Sequence, residues 1–168
     1  LNSIIYTGKV PVLLAPMAGI TDLPFRNAVN KFGVDMCFSE MVADRSLLCD
    51  GSKSRKISLG SNFLNTAVQL AGCEPKVMSE AAKLASDLGA RAIDINMGCP
   101  AKKVVGGYSG SALMRDLKKA ASIISSVVSA VDIPVSLKAR LGWDDSSKNA
   151  KELGVIAEKC GVQSLTVH

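Results

Sequence analysis

The chain has 168 residues, nearly half of them apolar and few aromatic, with a net charge of +5. That length allows one domain with a real core, and a Val, Ile, Leu and Ala-rich mix suits parallel strands under helices better than an antiparallel sandwich. The longest apolar runs, such as residues 10–15, are far too short to cross a bilayer, and no charged stretch leads into an apolar one near the start, so a cytoplasmic protein is expected.

The first expected strand, residues 10–15, runs into Leu14-Ala15-Pro16-Met17-Ala18-Gly19-Ile20-Thr21-Asp22. Small residues there let a flat ligand lie against the backbone, and Thr21 or Asp22 suits the N-cap of the helix that follows. Lys31-Phe32-Gly33-Val34-Asp35 then reads as a helix end closed by glycine, leading to a strand over 34–38 with Glu40 at its exit. Lys53, Arg55 and Lys56 form a basic cluster in the next connection, suited either to solvent or to phosphates. The strand over 66–70 carries Gln69. A helix opened by Pro75 shows an apolar stripe of Val77, Ala81, Leu84, Ala85 and Leu88, closes at Gly89, and leads to a strand over 92–96. In this strand Asp94 and Asn96 share one face, against Ile93, Ile95 and Met97.

Beyond that strand comes Met97-Gly98-Cys99-Pro100, followed by Ala101-Lys102-Lys103-Val104. A lone cysteine is usually a small buried hydrophobe, but glycine before it and proline after it define a tight, exposed turn. The next helix carries the stripe Leu117, Ala121, Ile124, Val128 and Val131, and the strand over 133–139 puts Ser136, Lys138 and Arg140 on one face. Two cations on a strand need an anionic partner when buried. A ligand is one such partner, and an ion pair with Glu40 or Asp94 is the alternative. A last helix with Ala150, Leu153, Ala157 and Cys160, capped by Ser146 or Ser147, closes at Gly161 before a strand over 164–168 that ends on His168.

Six strands alternating with helices imply right-handed crossovers and a parallel sheet. Polar residues gather at successive strand ends (Glu40, Gln69, Asn96, Lys138 with Arg140, His168), which favours a (β/α)8 TIM barrel with one active mouth over a doubly wound sheet. These residues then make up its N-terminal portion, with about six strands, the last barrel units being absent. The five cysteines form no C-x-x-C pair and the one histidine cannot build a multi-histidine site, so neither a disulfide framework nor a metal centre is expected.

The A-P-M-A-G-I-T-D run, the D-I-N-M-G-C-P-A-K-K-V run and the L-K-x-R-x-G-W segment of Leu137–Trp143, in this order, resemble the bacterial tRNA-dihydrouridine synthase family from about Pro11 to His168. The resemblance implies an FMN barrel followed by a helical domain, the latter absent here, that reduces the carbon 5–6 double bond of tRNA uridines with NADPH-derived electrons. It implies that Pro16, Met17 and Ala18 are backbone neighbours of the flavin and that Gln69 and Lys138 bond its pyrimidine end. His168 is expected beside the ring or phosphate. Asn96 and Arg140 would orient the uracil, and Cys99 would be the proton donor. Apart from the resemblance, Lys102 and Lys103, directly after Cys99, suit tRNA phosphates, with a solvated charged face as the alternative. The segment from Gly106 to Ala112 departs slightly from the commonest family spelling and is expected to be a mobile loop carrying Cys99, with a simple glycine-rich helix entry as the alternative.

The chemistry suits the residues: an ordinary thiol, with a pKa of about 8.5, is protonated at neutral pH yet acidic enough to protonate an enolate carbon. Three other readings fit the same residues. One is a flavin dehydrogenase acting on a free pyrimidine of the dihydroorotate kind. Another is a lyase forming a Schiff base at Lys138. The third is a non-catalytic segment.

Overall fold

The computed structural model describes residues 10–49 and 65–168; the basic cluster Lys53, Arg55 and Lys56 lies outside them. In chain order the described elements are β1 (Leu13–Leu14), α1 (Leu23–Asn30), β2 (Met36–Phe38), β3 (Val42–Ala43), α2 (Asp44–Cys49), β4 (Thr66–Ala71), α3 (Pro75–Asp87) and β5 (Ala92–Met97). There follow α4 (Lys102–Val105), a 3-10 helix (Gly110–Arg115), α5 (Leu117–Val128), β6 (Val135–Ala139), α6 (Ala150–Lys159) and β7 (Ser164–Val167).

The strands pair in the order β1-β2-β4-β5-β6-β7, and every pairing is parallel. Each principal strand lies beside its predecessor in the chain, with no point at which the order reverses. A doubly wound sheet has such a reversal and a TIM barrel does not, so the described residues form a partial TIM barrel. Its two edges are β1 and β7. The short β3 pairs with the end of β4, Val42 opposite Leu70; at two residues it leaves no periodic trace in the sequence.

Alternation gives the sheet two unlike faces. Val68, Leu70, Ile93, Ile95, Met97, Val135 and Leu137 turn outward into one continuous core with the inner stripes of α3 and α5. Met78, Ala81, Ile123 and Ile124 of those helices are fully buried in it. The inner face is layered. Met36, Ala67 and Ala92, with Phe38 against them, form a small apolar plug towards the strand starts. Above it stand Gln69, Asp94 and Asn96, all buried.

Helix ends follow local chemistry. Asp22 caps α1, its carboxylate accepting from the Phe25 N–H at 2.9 Å. Gly33, Gly89 and Gly161 take φ of +78°, +101° and +90° where their helices turn into strands, a conformation that costs glycine little. Two expectations need correction. Neither Ser146 nor Ser147 caps α6, because both hydroxyls donate instead to Asp144 Oδ1, at 2.7 and 2.8 Å, and close a separate turn. The helix starts later, behind Asn149. Helix α5 ends at Val128, so Val131 packs against the core from the connection beyond it.

Candidate active site

At the C-terminal ends of the strands lies a cavity of about 420 Å³. Its walls bring together nine residues singled out from the sequence: Pro16, Met17 and Ala18 on one side, Gln69, Asn96 and Cys99 on the floor and far side, and Lys138, Arg140 and His168 along β6 and β7. Ala15, Met41, Gly98 and Pro100 complete it. Of these four, only Met41 had no signal, since it sits one residue past the strand-exit Glu40.

The strip from Pro16 to Ala18 is held from two directions. Thr21, fully buried, accepts from the Met17 N–H at 3.0 Å and donates back to the Met17 carbonyl at 3.1 Å. Glu40 accepts from the Gly19 N–H at 2.7 Å. Beneath, the buried Arg26 donates to the Thr21 carbonyl at 2.6 Å. The loop that a flat ligand would lie against is therefore set by side chains of α1 and of the β2 exit.

The floor is one chain of hydrogen bonds. Asp94 Oδ1 accepts from Ser136 Oγ at 2.6 Å, and Asp94 Oδ2 from Gln69 Nε2 at 2.6 Å. Gln69 Oε1 accepts from Asn96 Nδ2 at 2.8 Å. Asn96 Oδ1 in turn accepts from the backbone N–H of Gly98 at 3.2 Å and of Cys99 at 3.0 Å. Strand register builds this, setting Gln69 beside Asp94, Asp94 beside Ser136 and Asn96 beside Lys138. Burial pushes the Asp94 carboxyl up to about 6, against the pull of its Gln69 and Ser136 bonds and of the Lys138 charge.

Cys99 is half-buried, and its turn is pinned on several sides. Its N–H is taken by Asn96, its carbonyl accepts from the Ser111 N–H at 3.0 Å, and Arg140 Nε donates to the Gly98 carbonyl at 2.6 Å. Gly110, at φ +60°, packs so closely that a Cβ there would lie 2.6 Å from the Cys99 carbonyl oxygen. Of the two readings of the segment from Gly106 to Ala112, the structure has the helix entry: it leads into the 3-10 helix, whose Leu113 and Met114 are buried in the outer core.

Neither alternative carboxylate pairs with the two cations of β6. Glu40 is engaged by Gly19 and Asp94 by two uncharged donors, while Lys138 has no hydrogen-bond or ion-pair partner among the described residues. A half-buried cation that lines a cavity, feels Asp94 only through its field and makes no ion pair of its own fits a ligand that brings acceptors. Gln69 Nε2 and Asn96 Nδ2 each keep a second N–H beyond the bonds described. This donor set, beside a smooth backbone strip and in a cavity of ordinary ligand size, fits the acceptor-rich pyrimidine edge of a flavin.

Lys102 and Lys103 do not line this cavity. Lys102 borders a second one of about 680 Å³ outside the Cys99 turn, with Tyr108, Arg115, Asp116, Lys119 and Trp143. There Arg115 stands 5.1 Å over the Trp143 ring and Lys119 5.9 Å from the Tyr108 ring centre. Lys103 is exposed and borders neither. Among the described residues no group of acidic, cysteine or histidine side chains is arranged to hold a metal, and no helix is long and apolar enough to cross a membrane.

A parallel barrel sheet with a polar, cation-bearing mouth at its strand ends defines the class: a TIM-barrel protein with its site at the C-terminal face. Solved structures agree on the fold. A phosphonomutase candidate from Burkholderia cenocepacia J2315 aligns at a TM-score of 0.64 with 16% identity, covering 94% of this chain and 69% of that one. The carboxyl transferase domain of Rhizobium etli pyruvate carboxylase aligns at 0.57 with 16% identity, covering 94% and 26%. The particular family comes from the sequence: residues 13–168 match the dihydrouridine synthase (Dus) family, and the chain belongs to it. Curated relatives include the "Probable tRNA-dihydrouridine synthase" of Rickettsia conorii, 54% identical over 159 residues, which are 94% of this chain and 48% of the relative. Another is "tRNA-dihydrouridine synthase B" of Proteus vulgaris, 46% identical over 164 residues, 97% of this chain and 51% of the relative. The chain spans about half the length of the curated relatives it matches.

Proposed function

We propose that this chain is the catalytic barrel portion of an FMN-dependent tRNA-dihydrouridine synthase, an oxidoreductase that reduces the carbon 5–6 double bond of uridine in tRNA with NADPH as electron source. The observation that carries the reading is the cavity itself: the Cys99 turn, the unpartnered Lys138 and the Pro16–Ala18 strip share one space. When bound, FMN would supply the hydride that adds to carbon 6 of the uracil. Lys138 and Gln69 would hold its pyrimidine edge, with His168 at the rim. Cys99 would deliver the proton to carbon 5, and the Arg140 guanidinium, anchored through Nε on Gly98, would offer its remaining donors to the uracil carbonyl as negative charge develops there. Asn96 would turn its free N–H to the base.

Recognition of the RNA falls to the second cavity. Its cations and exposed aromatic rings beside the Cys99 turn suit the phosphates and bases of nucleotides flanking the target uridine. Lys102 belongs to this groove, and Lys103 to the surface next to it.

The test uses the full-length protein. Cys99→Ala should remain yellow and be reduced by NADPH, while uridine reduction in unmodified tRNA falls by ~10²–10⁴-fold, the usual span for a lost general acid. Full turnover by this variant removes Cys99 from the role. Reoxidation of the reduced wild-type protein by orotate and not by tRNA, or borohydride trapping of a carbonyl substrate on Lys138, would replace the reading altogether.

A further inference from the structure

The floor of the cavity transmits an orientation. An ionised carboxylate only accepts hydrogen bonds, so Asp94 Oδ2 obliges Gln69 to present its amide nitrogen, at 2.6 Å. That leaves Gln69 Oε1 pointing the other way, and an amide oxygen can meet only a donor. Asn96 must therefore present Nδ2 to it, at 2.8 Å. The Asn96 oxygen is left facing the N–H groups of Gly98 and Cys99, which are donors and need it there. The chain is fixed at both ends, by a carboxylate that can only accept and by two backbone N–H groups that can only donate, and the Gln69 and Asn96 amides are the members that must agree with both. Were Asn96 to flip, its NH2 would oppose two backbone N–H groups, and the Cys99 turn would lose both bonds.

From this geometry we infer that Asp94 is a positioning residue that holds the Cys99 turn in place through the Gln69 and Asn96 amides, without touching the reacting atoms itself. Its job here is polarity: each carboxylate oxygen accepts from an uncharged side chain, and Lys138 acts on it only through its charge. Ser136 serves as an internal contrast. It bonds the other oxygen of the same carboxylate at 2.6 Å but lies off the path to Cys99. Loss of Ser136 weakens the buried cluster without freeing either amide. The link from the turn to uridine reduction rests on the reading of Cys99 given above; the amide relay itself does not.

Amide hydrogen exchange reads the relay directly. In the full-length protein without substrate, exchange at the Gly98 and Cys99 amides is compared in wild type, Asp94→Ala, Asp94→Asn and Ser136→Ala. Asp94→Ala should speed exchange at those two amides by at least ~10-fold, while Ser136→Ala leaves them near wild type. Asp94→Asn, which keeps one carbonyl acceptor for Gln69, should recover most of the protection. Where the alanine variant does not fold, Asp94→Thr replaces it, since its hydroxyl is one bond too short to reach the Gln69 amide. In turnover, kcat for uridine reduction should fall roughly 10- to 100-fold in Asp94→Ala, the scale of a small misplacement of a reacting group, with the KM for tRNA unchanged. Wild-type exchange at Gly98 and Cys99 in both Asp94→Ala and Asp94→Thr overturns the inference. So does a Ser136→Ala effect as large as that of Asp94→Ala, which would mean general loosening. Altered exchange in a protein whose wild type reduces no uridine would leave the relay standing and sink the catalytic reading instead.

Discussion

The two faces of β4, β5 and β6 make an instructive contrast. Outward, Val68, Ile93, Ile95, Met97 and Leu137 are fully buried against α3 and α5 and carry no polar atom beyond the backbone. Inward, the residues one step along the same strands are Gln69, Asp94, Asn96, Ser136 and Lys138. Burying a leucine or isoleucine side chain stabilises a fold by about 1.5–3 kcal/mol, whereas a buried polar group must recover its lost hydration through hydrogen bonds of only about 0.5–1.5 kcal/mol net. The outer face holds the strands together, and the inner face spends some of that stability to fix donors and acceptors around a cavity. Substitutions on the two faces should therefore divide cleanly between stability and chemistry.

The largest effect expected is the loss of uridine reduction in Cys99→Ala described above, with an unfolding midpoint close to wild type because the thiol lies outside both apolar clusters. Ile95→Ala should do the reverse. It opens a hole in the outer core and should lower unfolding free energy by about 2–5 kcal/mol in a denaturant titration, while the flavin and uridine half-reactions of the folded fraction stay near wild type. A comparable loss of both quantities in either variant would mean the faces are not separable. Lys138→Ala should weaken FMN binding by about 10- to 100-fold, the value of a lost hydrogen bond to a charged group, read by quenching of flavin fluorescence. Unlike Cys99→Ala, it should also slow reduction by NADPH.

The buried carboxylate of the inner face gives a pH signature. Asp94 has a folded-state pKa of about 6, against about 3.9 in an unfolded chain, so between those values the folded state holds the proton more tightly. Its contribution to stability is complete below about pH 4, is lost as pH rises through 6, and is constant above. Asp94→Asn lacks this dependence. The difference in unfolding free energy, wild type minus variant, should fall by about 2–3 kcal/mol between pH 4 and 7. A flat difference would mean that Asp94 is better solvated than its burial implies. Smallest of all, Lys102→Ala should weaken RNA binding by a few-fold and reduce its salt dependence by about one counterion, with FMN affinity unchanged.

Much of this was legible from residue order. Alternation in β6 separated Ser136 and Lys138 from Val135 and Leu137, and the glycine phrases marked where three helices turn into strands. Gly98 and Pro100 marked the turn that holds Cys99. What stayed hidden depends on distance along the chain. Nothing local tells that Gln69 and Asp94, 25 residues apart, are register partners, or that Asp94 is taken up by neutral donors and not by Lys138. Cap assignment failed at Ser146 and Ser147 because the sequence offers an unbroken polar run from Asp144 to Asn149 and does not say that Asp144 gathers both hydroxyls. Lys102 and Lys103 were grouped with the site by proximity in sequence, yet Lys102, at the start of α4, borders a different cavity.

Gly110 bears on how this chain can tolerate change. At the start of the 3-10 helix, a Cβ on Gly110 would lie against the Cys99 carbonyl oxygen, and the neighbouring Val104 Cγ1 would stand only 2.8 Å from it. The two ends of the excursion from Cys99 to Gly110 thus meet with no room between them, so the thiol's backbone is gauged from behind by the absence of a side chain. Alanine at 110 would place one carbon 3.3 Å from the Cys99 Cβ, so the turn that holds the thiol would have to shift. A residue with no side chain thus limits where the backbone of Cys99 can sit.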